Sequence, residues 1–104
     1  MINAQFFKSK GYFTSFSIEG HAGYAECGED IVCSAVTSAV MTVLNGITEF
    51  TDAKSEVTVA DNEIVLNLAN RNQSAQSFLD ALKLQLEYIE EQYSGTINIT
   101  VTEV

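Results

Sequence analysis

The chain holds one histidine, His21, and two cysteines, Cys27 and Cys33, all within the segment from Gly20 to Ser38. A thiolate beside an imidazole is a nucleophile with a proton acceptor in reach, the pair needed to open an amide through a covalent intermediate. Amide donors for the resulting oxyanion complete such a site. The run Gly28-Glu29-Asp30-Ile31-Val32-Cys33-Ser34 reads as a helix start, with Asp30 as N-cap and Cys33 at the third helical position. There the helix dipole favours a negative sulfur, and the unpaired amides of the first turn are available to an oxyanion. His21 is the one candidate for imidazole-assisted chemistry, and its separation of twelve positions from Cys33 is enough chain to fold back. Plainer readings stand on the same residues. His21 can be an ordinary loop histidine and Cys33 a small buried hydrophobe. His21, Cys27, Asp30 and Cys33 can also be metal donors, although they lack the paired short spacings of structural zinc sites.

The elements that must position these residues follow from periodicity. Ile2 to Lys8 reads as a strand, and Lys8-Ser9-Lys10-Gly11 as a turn into a second strand from Tyr12 to Glu19. In that second strand Tyr12, Thr14, Phe16 and Ile18 share one face, and Phe13, Ser15, Ser17 and Glu19 the other. The segment from Gly20 to Glu29, with Gly20, Gly23 and Gly28, reads as a loop able to close over an extended peptide. A helix is expected from about Ile31 to Asn45, ending near Gly46 and apolar on nearly all sides. Glu56 to Ala60 and Glu63 to Ala69 form a hairpin whose Asp61-Asn62 pair tolerates positive φ. A conventionally amphipathic helix spans about Ser74 to Gln92, and Ile97, Ile99 and Val101 alternate in a last strand. The order ββαββαβ predicts an α+β fold, two helices packed on a largely antiparallel five-stranded sheet. The all-round apolar first helix, with Leu84 and Tyr88 off the main stripe of the second, points to a homodimer.

Charge and composition narrow the classes of function. A net charge of -9, from 14 acidic and 5 basic residues, argues against direct nucleic-acid binding, which needs clustered Lys and Arg. Glu26 and Glu29 near the candidate site suit a basic peptide, and equally a solvated loop of a chain whose surplus acid keeps it soluble. No basic-then-apolar leader and no membrane-spanning run is read from the sequence, so a cytoplasmic protein without a membrane role is expected. In that compartment cysteines stay reduced, which disfavours a Cys27–Cys33 disulfide. The 104 residues suffice for one domain, 1–104.

The two halves of the segment, Gly20-His21-Ala22 and Asp30-Ile31-Val32-Cys33-Ser34-Ala35, resemble in order and separation the signature of the ribosomal-processing cysteine protease family, Prp. The resemblance extends to chain length and element order. It implies that Cys33 is the nucleophile and His21 the general base and acid, with no metal or organic cofactor. It implies as substrate the short N-terminal extension of a bacterial large-subunit ribosomal protein, cut after an aromatic residue, and it implies a homodimer. Three further residues take supporting roles. Asp30 caps the helix or orients His21, Ser34 lets the helix approach substrate backbone, and Thr37 stands where the family commonly carries serine. The alternative from another class is a non-catalytic module that binds the ribosome, since a motif is not yet a formed site.

Overall fold

Alternation of apolar side chains sets the inner face of the sheet. A computed structural model describes residues 1–20 and 27–104, apart from the side chains of 27–30. Strands β1 (Ile2–Ser9), β2 (Tyr12–Glu19), β3 (Ser55–Ala60), β4 (Glu63–Leu68) and β5 (Ile97–Glu103) form a single sheet in the order β3-β4-β2-β1-β5. Its neighbours are antiparallel except for β1 and β5, which run parallel, so the sheet is mixed and largely antiparallel. Ala4 and Phe6 of β1, Phe16 and Ile18 of β2, and Ile64 and Leu66 of β4 line up across the register and are buried. The opposite face carries polar residues such as Asn3, Gln5, Ser17, Asn67 and Thr100 and lies against solvent, as expected for a sheet covered on one side.

Helices α1 (Cys27–Phe50) and α2 (Gln73–Gln92) supply that cover. Both β2 and β3 run opposite to β4, so the β2-α1-β3 connection joins parallel strands and carries α1 across β4. The β4-α2-β5 connection likewise joins parallel strands and carries α2 across β2 and β1. Val32, Val36, Val40, Val43, Leu44 and Ile47 form the buried stripe of α1, at the spacing of one helix face. Leu79, Leu82, Leu86 and Ile89 do the same for α2.

Four sequence expectations change in the fold. Phe13 joins the core with Phe16 and Ile18, although strict alternation puts it on the wet face. The cause is a register shift between Phe7 and Lys8, which leaves Thr14 unpaired and turns Phe13 inward against Phe6, at a ring-centroid distance of 5.7 Å. Gly46 does not end α1: a Cβ there would overlap Cδ1, Cε1 and Cζ of the Phe78 ring, so this glycine lets α2 approach. The helix instead runs to Phe50, and Thr51 follows by donating its hydroxyl to the Ile47 carbonyl at 2.6 Å. The positive-φ pair is Lys10-Gly11, at 53° and 81°; among the described residues Lys10 is the one non-glycine in that region, so Asp61-Asn62 turns without it. Finally, Ile31–Phe50 is 20 residues long with mean hydropathy 1.7, enough by length and composition to cross a membrane, contrary to the sequence reading. In this fold its stripe is part of the domain core, where a long apolar helix meets the same measure.

Candidate active site

The end of the sheet where β2 finishes, the β3–β4 turn lies and α1 begins gathers the candidate residues that are described. Gly20 closes β2 with φ 89°, and its amide donates to the Asn62 carbonyl at 3.2 Å. A Cβ on Gly20 would stand 2.6 Å from the Met1 carbonyl oxygen. Only glycine fits that backbone without strain, so the residue leading directly into His21 is held in place by two neighbouring chain segments. Gly20→Ala is therefore expected to destabilise the fold by about 2 kcal/mol and to slow any reaction that uses His21. Thermal denaturation beside a cleavage assay checks both, and an unchanged melting temperature would contradict the backbone argument.

Cys33 is a half-buried thiol packed against the core cluster. On α1 it lies on the flank turned away from α2. The flank that faces α2 is marked by Ala35, Ala39 and Thr42, which line a shared groove with Ala81, Leu82 and Gln85. α2 packs on β2 and β5, and the β2-α1-β3 connection carries α1 across β4, so the Cys33 flank looks toward the β3 edge of the sheet. Thr37 is one turn further on the same flank and is exposed, as is Ser34, which is turned about 100° round the helix from Cys33.

The helix start differs from the sequence expectation. α1 begins at Cys27, so Asp30 is inside the first turn instead of capping it, and Cys33 is the seventh helical residue instead of the third. Gly28, a poor helix former, concealed this boundary, while Glu29 and Asp30 are the acidic first-turn residues that a helix dipole favours. The consequence is chemical. The dipole acts mainly within the first turn, and the amide of a seventh residue is already bonded inside the helix. Placement at the helix start is thus a weaker reason for Cys33 to ionise than the sequence suggests, and more of the activation rests on a neighbouring imidazole.

His21 and Gly23 lie outside the described residues, as do the side chains of Cys27 and Asp30. Gly28 falls inside α1, not in a loop. Among the described residues no three His, Cys, Asp or Glu side chains are grouped as metal ligands; of the donors in the metal reading, only the Cys33 side chain is among those described.

Charge is distributed unevenly along the sheet. Lys8, Lys10, Lys54 and Arg71, four of the 5 basic residues, stand at the end remote from Cys33, whereas Glu19, Asp61 and Glu63 stand at the near end. An eight-residue strand separates the ends by about 25 Å, well beyond a screening length of about 8 Å, so the near end keeps its negative potential.

The family model described as cysteine protease Prp matches residues 1–98. The chain belongs to that family. It is accordingly a cysteine-type peptidase, and its resemblance to a ribosomal processing protease family is a finding on sequence and fold alike. The ribosomal processing cysteine protease Prp of Staphylococcus aureus strain Mu50 is 28% identical over 93 residues, covering 86% of this chain and 88% of the relative. The crystal structure of the S. aureus protease in complex with a substrate peptide superposes with a TM-score of 0.90 at 25% identity, covering 97% of this chain and 99% of that one. A second structure of that enzyme, with a covalently linked product peptide, gives a TM-score of 0.87 at 26% identity over the same shares of the two chains. Two helices on a five-stranded mixed sheet in the order ββαββαβ are thus the architecture of these proteases too.

Two features of the molecule escape sequence reasoning. Gln76 reads as a polar residue of an amphipathic helix, yet it is buried and bonded to β2. Val57 and Val59 read as ordinary strand residues, yet they are exposed on the inner side of the sheet beside the Cys33 flank.

Proposed function

We propose that this peptidase uses Cys33 as nucleophile and His21 as general base and acid to remove the short N-terminal extension of a bacterial large-subunit ribosomal protein. The observation that carries the reading is the position of Cys33, half-buried on the outer flank of α1 at the sheet end where Gly20 delivers the chain to His21. In the first step the thiolate adds to the scissile carbonyl. The tetrahedral oxyanion collapses to a thioester as the imidazolium protonates the departing amine. Water, deprotonated by the now neutral imidazole, then opens the thioester and returns the thiol. The covalently linked product peptide in the S. aureus relative supports such an intermediate.

The acidic near end of the sheet favours a basic extension, and Thr37 offers a hydroxyl on the nucleophile's flank. Asp30 and Ser34 support the site from the first turns of α1, and no metal or organic cofactor takes part. The reaction belongs to the cytoplasm, where a thiol stays reduced. The enzyme works as a homodimer, a reading supported by the exposed Leu84 and Tyr88 on α2 and Ile31 and Met41 on α1. Sedimentation equilibrium should return twice the chain mass, and a monomer at micromolar concentration would remove that part of the reading.

The deciding experiment incubates peptides spanning the ribosomal extension with the wild type, Cys33→Ala and His21→Ala, with cleavage read by mass spectrometry. Cleavage by the wild type that survives in Cys33→Ala would sink the mechanism. Binding without cleavage by that variant is the expected result.

A further inference from the structure

We infer that β3 is the docking edge for the substrate, which adds to the sheet as an extended strand and seats alternate apolar side chains on Val57 and Val59. This rests on the peptidase reading above and deepens it. β3 is the terminal strand of the sheet, paired with β4 in an unbroken register from Ser55 to Ala60, and among the described residues nothing pairs with its outer edge. Its inner-face residues align with buried partners, Val57 with Leu66 and Val59 with Ile64, yet they are themselves 38% and 64% exposed. Two valines at i and i+2 on an open edge suit an extended peptide, whose side chains alternate at the same period while its backbone bonds to the edge.

The placement relative to Cys33 separates this edge from the other one. β3 ends at the sheet end where β2 finishes and the chain passes into α1, and there the Gly20 amide joins the end of β2 to the β3–β4 turn at the Asn62 carbonyl. Cys33 stands six residues into α1, about 9 Å along its axis; Val59 and Val57 stand one and three residues back from Ala60, about 3 and 10 Å. Counted from that end of the fold, the nucleophile and the valines stand at similar depths, with Cys33 on the flank of α1 away from α2. The opposite edge strand, β5, packs against α2 on the side away from α1, so a chain bound there would not reach Cys33. Glu56 and Asp61 bracket the valines with negative charge, complementary to a basic peptide and less so to a second copy of a chain of net charge -9.

The test uses the full chain and a basic peptide spanning the N-terminal extension of a bacterial large-subunit ribosomal protein. The double variant Val57→Thr/Val59→Thr keeps side-chain shape and strand preference at exposed positions. It should raise KM roughly tenfold while leaving kcat within about twofold. In parallel, the peptide is methylated at one backbone amide at a time and offered to the wild type. Strand addition predicts loss of cleavage at every second position only. An unchanged KM in the double variant, or a methylation profile without that alternation, overturns the inference while wild-type cleavage keeps the peptidase reading intact. An altered oligomeric state at unchanged KM assigns the edge to a second copy and also overturns it. A wild type that cleaves none of the peptides removes the substrate reading and this inference with it.

Discussion

Cys33→Ala is expected to lower peptide cleavage by at least about 10⁴-fold, because no other group takes over bond formation once the sulfur is gone. The side chain is only half-buried and sits at the margin of the core, so the melting temperature should move by no more than a few degrees. Substrate affinity should persist, which separates loss of chemistry from loss of fold. His21→Ala is expected to cost less, about 10² to 10⁴-fold, since a thiol still ionises without an imidazole, only at higher pH. The sign follows from that ionisation. As pH rises toward the ordinary thiol range of about 8.5, the fraction of thiolate grows and His21→Ala should recover part of its rate, whereas the wild type should gain little. Because Cys33 is in the second turn of α1, this recovery should be pronounced; a His21→Ala rate that is flat with pH would mean that the helix alone holds the sulfur ionised.

Gln76→Leu should be the most damaging substitution for stability, at about 2 to 4 kcal/mol. Gln76 is 7% exposed in the first turns of α2, and its amide takes both backbone groups of one strand residue. The Phe13 amide donates to Oε1 at 2.7 Å, and Nε2 donates to the Phe13 carbonyl at 2.9 Å. The arrangement is required by the sheet itself, since β4 pairs with β2 only from Ser15 to Glu19 and leaves Phe13 without a strand partner on that side. A leucine fills the volume and excludes water, so a buried donor and a buried acceptor are both left unsatisfied. For a domain of this size the melting temperature should fall by roughly 10 to 25 °C. The exposed Gln85→Leu is the control and should change little. Cleavage per folded molecule should be unaffected, as Phe13 lies at the sheet end remote from Cys33. A Gln76→Leu protein as stable as the wild type would show that the bidentate pair contributes nothing net.

Local chemistry was legible in the residues. Alternation placed the strands of the β3–β4 hairpin within a residue of their observed bounds, and the stripe of Leu79, Leu82, Leu86 and Ile89 marked α2. The cap of α2 was less visible: Asn72 accepts from the Ala75 amide at 2.9 Å, starting the helix at Gln73, one residue before the apolar pattern suggests. Both ends of α1 differ from the sequence expectation for one reason, that Gly28 and Gly46 carry the pattern of boundary signals while lying inside the helix. A glycine is also what a helix needs where another element must come close, as Phe78 does at Gly46. Propensity does not distinguish these cases, because the deciding contact comes from residues distant in the chain.

What the sequence determined by itself is the chemistry available: one imidazole, a cysteine in a motif resembling a peptidase signature, and periodicities sufficient for seven elements in order. These are properties of residue type and near-neighbour spacing, which a linear chain displays directly. Only the tertiary structure decided that Phe13 turns inward, that Gln76 replaces a missing strand partner, that Cys33 sits in the second helical turn, and that its flank faces the open β3 edge. Each of those depends on a bulge, a strand order or a helix crossing, where the energy is settled by contacts between segments far apart in sequence. The pairing of β1 with β5, whose residues are more than ninety positions apart, is the clearest case: no local pattern names a partner, and the sheet that frames the candidate site exists only once that partner is found.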